Sequence, residues 1–531
     1  MLGVARTLTS AVRLLEALEL LRGDLRIQVL FAVDATSAFA EGTAGLLADV
    51  GARVVPWEQL VDADVDLVVT ASENVDLGAV RAPVVVLPHG VGFHRCVPDS
   101  NGPGTRLSGL VPRQYRAGRE VRLVASHPDQ VAQLAAADPD AAARATVVGD
   151  VCFDRLLASR RLRPAYRRRL GVDDDRRLVV LSSTWGRRSL LGSWPELPAR
   201  LLGQLPVDEY RVAMILHPNV WSRHSPWQVR AWLADARDAG LLLVPPTSGW
   251  QACVVAADVV VGDHGSVTFY AAALGVPVLL AAFGDDEAVP GTPLAELARR
   301  APRLRSDHDL HPQLDAATAA HDPTLARALT DATFAHTGEV QGLLRGLLYR
   351  QVGLPEPNAP AAARAWPVPE PEAVAVRSFA VVTTLLDPGT VEVERYPARL
   401  ASLPDESATV CTHRAAYDDE PDPVAAESAS VIVREPVTDV PRASAWTTET
   451  LRRYPGARIA AAATAGGCCL LTVRGDRTVL VSGGTPGVRV DPMLLTAVGY
   501  ARLRAGVLDD GPVRLITGGR QALVEVTTLG G

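Results

Sequence analysis

The strongest constraint on the fold of this chain is a series of short apolar runs separated by stretches of helical character. In the first part of the sequence these runs cover residues 26–33, 52–57, 66–71, 83–90, 122–127 and 145–150. They do not alternate between apolar and polar residues, which is typical of strands buried on both faces of a parallel sheet. Helices between such strands form right-handed crossovers, so the pattern predicts a doubly wound α/β domain.

A second series of the same kind follows. Its runs cover residues 178–185, 211–219, 241–246, 258–263 and 276–283. We therefore predict two Rossmann-like halves, residues 1–155 and 172–350, with a cleft between the carboxyl ends of their sheets. The helical stretches within 294–350 could close back over the first half. Two doubly wound halves facing a cleft correspond to the GT-B type of α/β fold.

The rest of the chain has a different character. Residues 351–371 are rich in proline and alanine and predict a linker. Residues 372–531 contain many short β-type runs without a regular helical alternation, which predicts a C-terminal α+β domain. Nothing in its sequence indicates a role.

The charged residues exclude several classes of function. All 53 basic residues are arginine, so the chain has no lysine for a Walker phosphate loop, a protein-kinase site or a pyridoxal-phosphate Schiff base. A net charge of -7 gives no support for a nucleic-acid partner. An anionic substrate would have to be held by arginine, histidine, backbone amides or helix N-termini.

The cysteines and the N-terminal residues bear on location. The six cysteines are scattered without a C-x-x-C pair, which favours a reducing compartment. The first residues lack the pattern of a secretory signal, and Val12, Leu15, Leu18 and Leu21 fall on one helical face. We expect this helix to pack on its own domain in a cytoplasmic protein. Peripheral contact with the inner face of the membrane is the alternative.

The most informative segment is DVVVGDHGSVTFY at residues 258–270. A strand ends at Asp263, His264 and Gly265 form a turn, and a helix begins near Ser266. Backbone amides at such a helix N-terminus can bind a phosphate or diphosphate. In the alternative interpretation this is an ordinary strand–turn–helix in which Ser266 serves only as an N-cap.

Two further strand ends carry histidines. LPHGVGFHR places four residues after a buried strand of the first half, His89, Gly90, Gly92 and His94. ILHPNVWSRH places four after a strand of the second half, His217, Asn219, Arg223 and His224. Ligands of open α/β sheets bind at the carboxyl ends of strands, and histidine can act as a general base near neutral pH. Three such strand ends predict one shared site.

In this order and at these distances, the segments resemble the CDP-glycerol glycerophosphotransferase family, the teichoic-acid polymerases. The matching positions are His89-Gly90, His217-Pro218, Asp263 to Ser266 and Pro277, together with Thr184, Trp185 and Arg187 in LSSTWGRRSLL. The resemblance covers roughly residues 25–350.

The resemblance implies a transferase that moves an alditol phosphate, or a glycosyl group, from a nucleotide-diphosphate donor to an acceptor hydroxyl. His89 would be the catalytic base, with Gly90 and His94 on the acceptor side. The donor would be held by Thr184, Arg187, His217, Asn219, Arg223, Asp263, His264, Gly265 and Ser266. We expect neither a metal nor a cofactor.

Some positions depart from the family pattern. Val91 stands where a threonine is usual, and the absence of lysine disfavours a polyanionic acceptor. Phe269 and Tyr270 occupy the region where retaining transferases and epimerases carry a glutamate, which favours an alditol-phosphate transferase or an inverting glycosyltransferase. A non-catalytic GT-B scaffold, or a nucleotide-binding protein that acts through its C-terminal domain, is the alternative function.

Overall fold

A computed structural model supplies the coordinates of the protein. The structure describes residues 1–62, 64–75, 80–92, 94–98, 105–116, 118–172, 175–284, 288–475, 477–483, 490–508 and 510–529. No helix in these ranges combines the length and the apolar character needed to span a bilayer.

The first half contains a six-stranded parallel sheet. Its elements are β1 (Leu2–Ala5), α1 (Leu8–Leu18), β2 (Leu30–Val33), α2 (Thr43–Asp49), β3 (Val68–Thr70), β4 (Val84–Val86), β5 (Cys96–Pro98), β6 (Thr105–Leu107), α3 (Arg113–Arg116), β7 (Val121–Ala125), α4 (Pro128–Ala137), α5 (Pro139–Ala143) and β8 (Ala145–Val147). The strand order is β2-β1-β3-β4-β7-β8, and β5 and β6 form a separate hairpin. The run at 52–57 contributes only an isolated parallel bridge from Val54 to Phe31 of β2.

The N-terminal residues depart in part from the sequence prediction. The expected helix exists and packs on its own domain, but strand β1 precedes it and lies between β2 and β3 in the sheet. The buried face of α1 includes Leu14 and Leu18, whereas Val12 borders the cleft. A strand of four residues without a long apolar run gave no separate sequence signal.

The second half is again a parallel α/β layer structure. Its elements are α6 (Val151–Ser159), α7 (Arg163–Arg169), β9 (Arg177–Ser183), α8 (Leu190–Ser193), α9 (Leu197–Gln204), β10 (Tyr210–Leu216), α10 (Pro218–Trp232), α11 (Ala234–Asp238), β11 (Leu242–Leu243), α12 (Trp250–Ala256), β12 (Val259–Gly262), α13 (Ser266–Ala273), β13 (Val278–Leu280), α14 (Pro293–Arg300), α15 (Leu310–Ala319), α16 (Pro323–Asp331) and α17 (Val340–Val352). The strand order is β11-β10-β9-β12-β13. Successive strands are added on one side of β9 as far as β11, and from β12 onward they are added on its other side. In doubly wound sheets, such a switch point marks the crevice where ligands bind.

Two chain crossings join the halves side by side. Helix α6 buries Phe153 in the core of the second half, whereas α17 returns and buries Leu344 and Leu348 in the core of the first half. Gly149, at φ +99°, lies against the returning segment so closely that a Cβ there would approach the Ala335 carbonyl oxygen to 2.5 Å. The expected closure of the 294–350 helices over the first half is therefore found at α17.

The C-terminal domain is a closed barrel. Its elements are β14 (Ser378–Asp387), β15 (Thr390–Pro397), β16 (Val410–Tyr417), α18 (Pro423–Glu427), β17 (Val431–Thr438), α19 (Val440–Arg453), β18 (Ile459–Thr464), β19 (Cys468–Val473), β20 (Arg477–Gly483), α20 (Pro492–Arg504), β21 (Gly511–Thr517) and β22 (Arg520–Leu529). The strands close in the order β14-β15-β21-β22-β20-β19-β18-β17-β16. Helix α20, buried from Pro492 to Arg502, packs against strands all around the barrel interior. The predicted mixture of helices and strands is confirmed, and closure of the sheet is the feature that the sequence did not reveal.

The barrel is held against the second half. Arg395 on β15 makes a bidentate ion pair with Asp208, which precedes β10, and also pairs with Asp491, the N-cap of α20. The predicted linker, residues 351–371, is packed on the protein in this structure. Trp366 is buried, and the Arg155 guanidinium stacks on its ring at 3.6 Å.

Candidate functional site

A cavity of about 530 Å³ lies between the two halves. Its walls come from residues that follow β1, β3 and β4 in the first half and β9, β10, β11 and β12 in the second. The volume lies within the range typical of small-ligand sites. Both sheets therefore present their carboxyl ends to one space.

Asp263 lies under the turn that follows β12. It is fully buried, and its carboxylate accepts hydrogen bonds from the backbone amides of Thr184 (2.8 Å), Leu190 (2.8 Å) and Gly265 (2.9 Å). Burial raises the pKa of Asp263 to about 6, although these amides favour the ionised form. Asp263 thus fixes the loop after β9 to the turn before α13, and its oxygens face the backbone.

The N-terminus of α13 is open toward the cavity. Gly265 is the N-cap and Ser266 is the first helical residue, so the alternative interpretation, in which Ser266 is the N-cap, is wrong. In the part of the chain that the structure describes, the amides of Ser266, Val267 and Thr268 have no protein acceptor. Unpaired amides at the positive end of a helix can bind an anion.

Two histidines of the second half have the same hydrogen-bond arrangement. Nδ1 of His217 accepts from the amide of Asn219 at 3.1 Å, and Nδ1 of His264 accepts from the amide of Gly284 at 3.2 Å. Burial lowers the pKa of His217 to about 3, with the nearby His89 and Arg95 acting in the same direction. A neutral imidazole that accepts at Nδ1 carries its hydrogen on Nε2. Both side chains line the cavity, and burial keeps His217 neutral there.

His89 has the opposite arrangement. Its Nδ1 lies 3.6 Å from Oε2 of Glu73, and Arg106 lies 3.4 Å from the other carboxylate oxygen. Burial would raise the pKa of Glu73, but the interactions with His89 and Arg106 hold it at about 2. The Glu73 carboxylate therefore faces Nδ1 of His89, and the imidazole, which is 43% exposed, lines the cavity.

The other expected residues differ in position. Thr184, Asn219, Gly90 and His94 line the cavity. Gly90 meets the second half, because a Cβ there would lie 2.8 Å from Ser266 Oγ. Burial lowers the pKa of His94 to about 4, with His127 adding to the effect.

The arginines of the cavity are not those expected from the sequence. Arg187 and Arg223 are exposed and do not belong to the cavity lining. The lining instead includes Arg6, Arg13, Arg95 and Arg106. Arg6 follows β1, a strand that the sequence did not reveal. Arg13 lies on α1, Arg95 ends the LPHGVGFHR segment and Arg106 lies on β6. Glu73 could have been found, because it follows the buried strand β3.

No group of three histidine, cysteine or carboxylate side chains is placed to hold a metal ion within the described ranges. Anion binding in the cavity would fall to helix amides, histidines and arginines.

No protein-family model matches the sequence, and no curated protein matches it. Among solved structures, the chain is similar to the wall teichoic acid polymerase TagF in a crystal soaked with CDPG, at 12% identity and a TM-score of 0.47 over 66% of this chain and 88% of that one. It is also similar to a UDP-N-acetylglucosamine 2-epimerase, at 14% identity and a TM-score of 0.41 over 67% and 99% of the two chains. For the Anabaena protein HepE in complex with UDP-glucose the values are 13% and 0.38 over 66% and 99%.

The architecture is evident from the topology of the chain itself. Two parallel, doubly wound halves share a cleft at the carboxyl ends of their strands, and α17 returns from the second half to pack on the first. Residues 1–352 therefore have the GT-B fold.

Proposed function

We propose that the protein is a GT-B transferase that moves an alditol-phosphate or glycosyl group from a nucleotide-diphosphate donor to an acceptor hydroxyl. The observation that supports this best is the contrast between the histidines of one cavity. Nδ1 of His89 faces a carboxylate, whereas Nδ1 of His217 and of His264 accepts a hydrogen bond from a backbone amide. One imidazole is thereby prepared to accept a proton, and two are prepared to donate hydrogen bonds to an anion.

On the acceptor side, His89 is the general base. Nε2 of His89 takes the proton of the acceptor hydroxyl as its oxygen attacks the donor, and the Glu73 carboxylate stabilises the imidazolium that forms. The arrangement follows the base-and-orienter logic of hydrolytic triads, in which the carboxylate itself does not take the proton.

On the donor side, the diphosphate lies at the N-terminus of α13. The amides of residues 266–268 and the Nε2–H groups of His217 and His264 face its oxygens, and Arg95 supplies positive charge nearby. These fixed dipoles stabilise the negative charge that develops on the departing nucleotide. Asp263 acts below this layer by holding the turn in place.

Two donor chemistries fit the same constellation. With a CDP-alditol, the acceptor oxygen forms a bond to the β-phosphorus, the bond from that phosphorus to the bridging oxygen breaks, and CMP leaves. With a nucleotide sugar, the new bond forms at the anomeric carbon, the bond from that carbon to oxygen breaks, and the nucleoside diphosphate leaves. In both, the acceptor proton goes to His89.

The proposal is tested first by binding and then by turnover. Calorimetric titration of the full chain with CDP, UDP and GDP should reveal binding of at least one of them. With the matching donor and an alcohol acceptor, His89→Ala should lower kcat by roughly 100- to 10,000-fold, the contribution expected of a general base. His224→Ala is the matched control, because His224 is exposed on α10 and makes an edge-to-face contact with Trp232 away from the cavity.

Each outcome separates the proposal from its alternative. Nucleotide binding with turnover that His89→Ala leaves unchanged would make the mechanistic assignment wrong. Binding of none of the three nucleotides would favour a scaffold that acts through the barrel domain.

A further inference from the structure

Arg13 connects the two sides of the cleft. It lies on α1, its side chain is 13% exposed, and the base-side machinery described above does not use it. Its Nη1 donates to Glu16 at 2.8 Å, and its Nε donates to the backbone carbonyl of His89 at 3.4 Å. One guanidinium thus holds the peptide that carries the catalytic imidazole.

The same guanidinium reaches the second half. Nη2 of Arg13 donates to the hydroxyl of Tyr270 at 3.1 Å, and that hydroxyl donates to Oδ2 of Asp150 at 2.7 Å. Tyr270 lies on α13, one helical turn beyond Ser266, and is fully buried. Asp150 is the N-cap of α6 at the crossing between the halves.

A parallel connection strengthens this link. Glu16, which pairs with Arg13, also accepts from Gln251 on α12 of the second half at 3.2 Å. Arg13 and Glu16, both on α1, therefore each have a hydrogen-bond partner in the second half. If the second half moved relative to α1, these hydrogen bonds would break, or Arg13 and Glu16 would move with their partners.

We propose that Arg13 is a positioning residue that couples the anion site on α13 to the placement of His89. This inference rests on the proposed function and names a residue to which no motif points. An anion that docks on the amides of residues 266–268 draws α13 toward the first half. Tyr270 transmits that position to Arg13, and Arg13 sets the His89 peptide so that Nε2 faces the acceptor oxygen.

Arginine is suited to this role because its rigid fork offers several donors at fixed angles. The three contacts of Arg13 diverge to a side chain of its own helix, a backbone carbonyl of the base turn and a hydroxyl of the other half. A lysine at position 13 would retain the charge but could not satisfy all three directions.

The test compares Arg13→Gln, Arg13→Lys and Tyr270→Phe with the parent chain, using a donor that the parent turns over. We expect each to lower kcat by 10- to 100-fold while the KM for the donor changes less than threefold. The double variant of Arg13→Gln and Tyr270→Phe should be no slower than the slower single variant, since both break one connection. Arg22→Gln is the matched control, because Arg22 lies just beyond α1 and its side chain is 68% exposed.

A second readout does not depend on turnover. The imidazole NMR resonances of His89 should shift when a nucleoside diphosphate binds to the parent chain, and the shift should be lost in Tyr270→Phe at saturating nucleotide. Tyr270→Phe retains the aromatic ring and its packing. The test therefore stays decisive even if the variants at position 13 fail to fold.

Three results with these variants would each overturn the inference, in addition to the two outcomes given after them. They are additive losses in the double variant, a KM that rises as much as kcat falls, and an undiminished His89 shift in Tyr270→Phe. If His89→Ala abolishes turnover while Arg13→Gln leaves kcat within twofold of the parent, the inference fails and the proposed function stands. If the parent chain binds no nucleotide, the proposed function fails and the coupling fails with it.

Discussion

At the scale of single residues, the cleft shows how a backbone amide and a carboxylate select different tautomers of the same side chain. The amides of Asn219 and Gly284 occupy Nδ1 of His217 and His264, whereas Glu73 faces Nδ1 of His89. The sequence identified these histidines from their positions after strands. It could not assign their tautomers, because each depends on a partner that the fold brings to the ring.

The Glu73–His89 pair gives a direct prediction. Glu73→Gln removes the charge that stabilises an imidazolium, so kcat should fall by roughly 100-fold, the lower end of what a general base contributes. Because the pKa of Glu73 is lowered to about 2, the carboxylate stays ionised at neutral pH. Its favourable contribution to the free energy of unfolding is lost only as the pH falls toward that value. Steady-state kinetics check this, with Glu120→Gln on the exposed surface as the control. Full activity in Glu73→Gln would contradict the assigned role.

A second prediction concerns a histidine outside the cleft. His413 is buried in the barrel and stacks on Tyr500 at 4.0 Å, and burial lowers its pKa from 6.5 to about 3. Between these values the unfolded chain binds a proton that the folded chain does not, so stability falls as the pH is lowered. From pH 7 to pH 5 this single group should cost about 2 kcal/mol.

Denaturant unfolding of the parent and of His413→Phe at the two pH values measures this cost. The variant should lose less stability on acidification than the parent, while the exposed His308→Phe control should behave like the parent. Equal losses in the parent and in His413→Phe would show that His413 titrates normally.

At the scale of elements, the N-terminus of α13 can be tested by removing one amide without disturbing the helix. Ser266 occupies the first helical position, which tolerates proline, and Gly265 already has the extended backbone (φ −74°, ψ 157°) that proline requires before it. Ser266→Pro should therefore fold normally. It should weaken diphosphate binding by roughly 1.5–3 kcal/mol, the value of a hydrogen bond to a charged group.

Titration calorimetry with the preferred nucleotide checks this prediction. Ser266→Ala is the matched control, since it removes the hydroxyl but keeps the amide, and it should bind more tightly than Ser266→Pro. Equal affinities for the parent and Ser266→Pro would place the phosphates elsewhere.

The elements also show what the sequence could and could not predict. Long apolar runs located almost every strand of the two parallel sheets, because strands buried on both faces need continuous apolar residues. β1 escaped detection because Leu2–Ala5 is too short to form a pattern. Arg13 escaped because a helix of known position does not tell which half its polar face meets.

At the scale of the whole molecule, the barrel was the least predictable part. Its strands pair across long sequence separations, as β15 does with β21, and such pairing leaves no local signature. Its attachment to the second half depends on the Arg395–Asp208–Asp491 cluster, whose members lie far apart in sequence.

This attachment leads to a stability prediction. Arg395→Met would leave the carboxylates of Asp208 and Asp491 near the interface without their cation, and breaking a buried ion pair in this way costs about 3–5 kcal/mol. Denaturant unfolding should show that loss, whereas Arg399→Met, at a residue that is 48% exposed, should change stability by less than about 1 kcal/mol. Unchanged stability in Arg395→Met would mean that this ion-pair cluster does not hold the barrel against the second half.

We propose that the cleft binds a nucleoside diphosphate between His89 and the N-terminus of α13. A crystal structure of the chain with CDP or UDP would locate the phosphates. We expect a phosphate within about 3 Å of the amides of residues 266–268, a second contact from Nε2 of His217, and the Nε2 face of His89 open toward the acceptor side. A nucleotide bound with its phosphates away from α13, or a cleft that stays empty at saturating nucleotide, would contradict it.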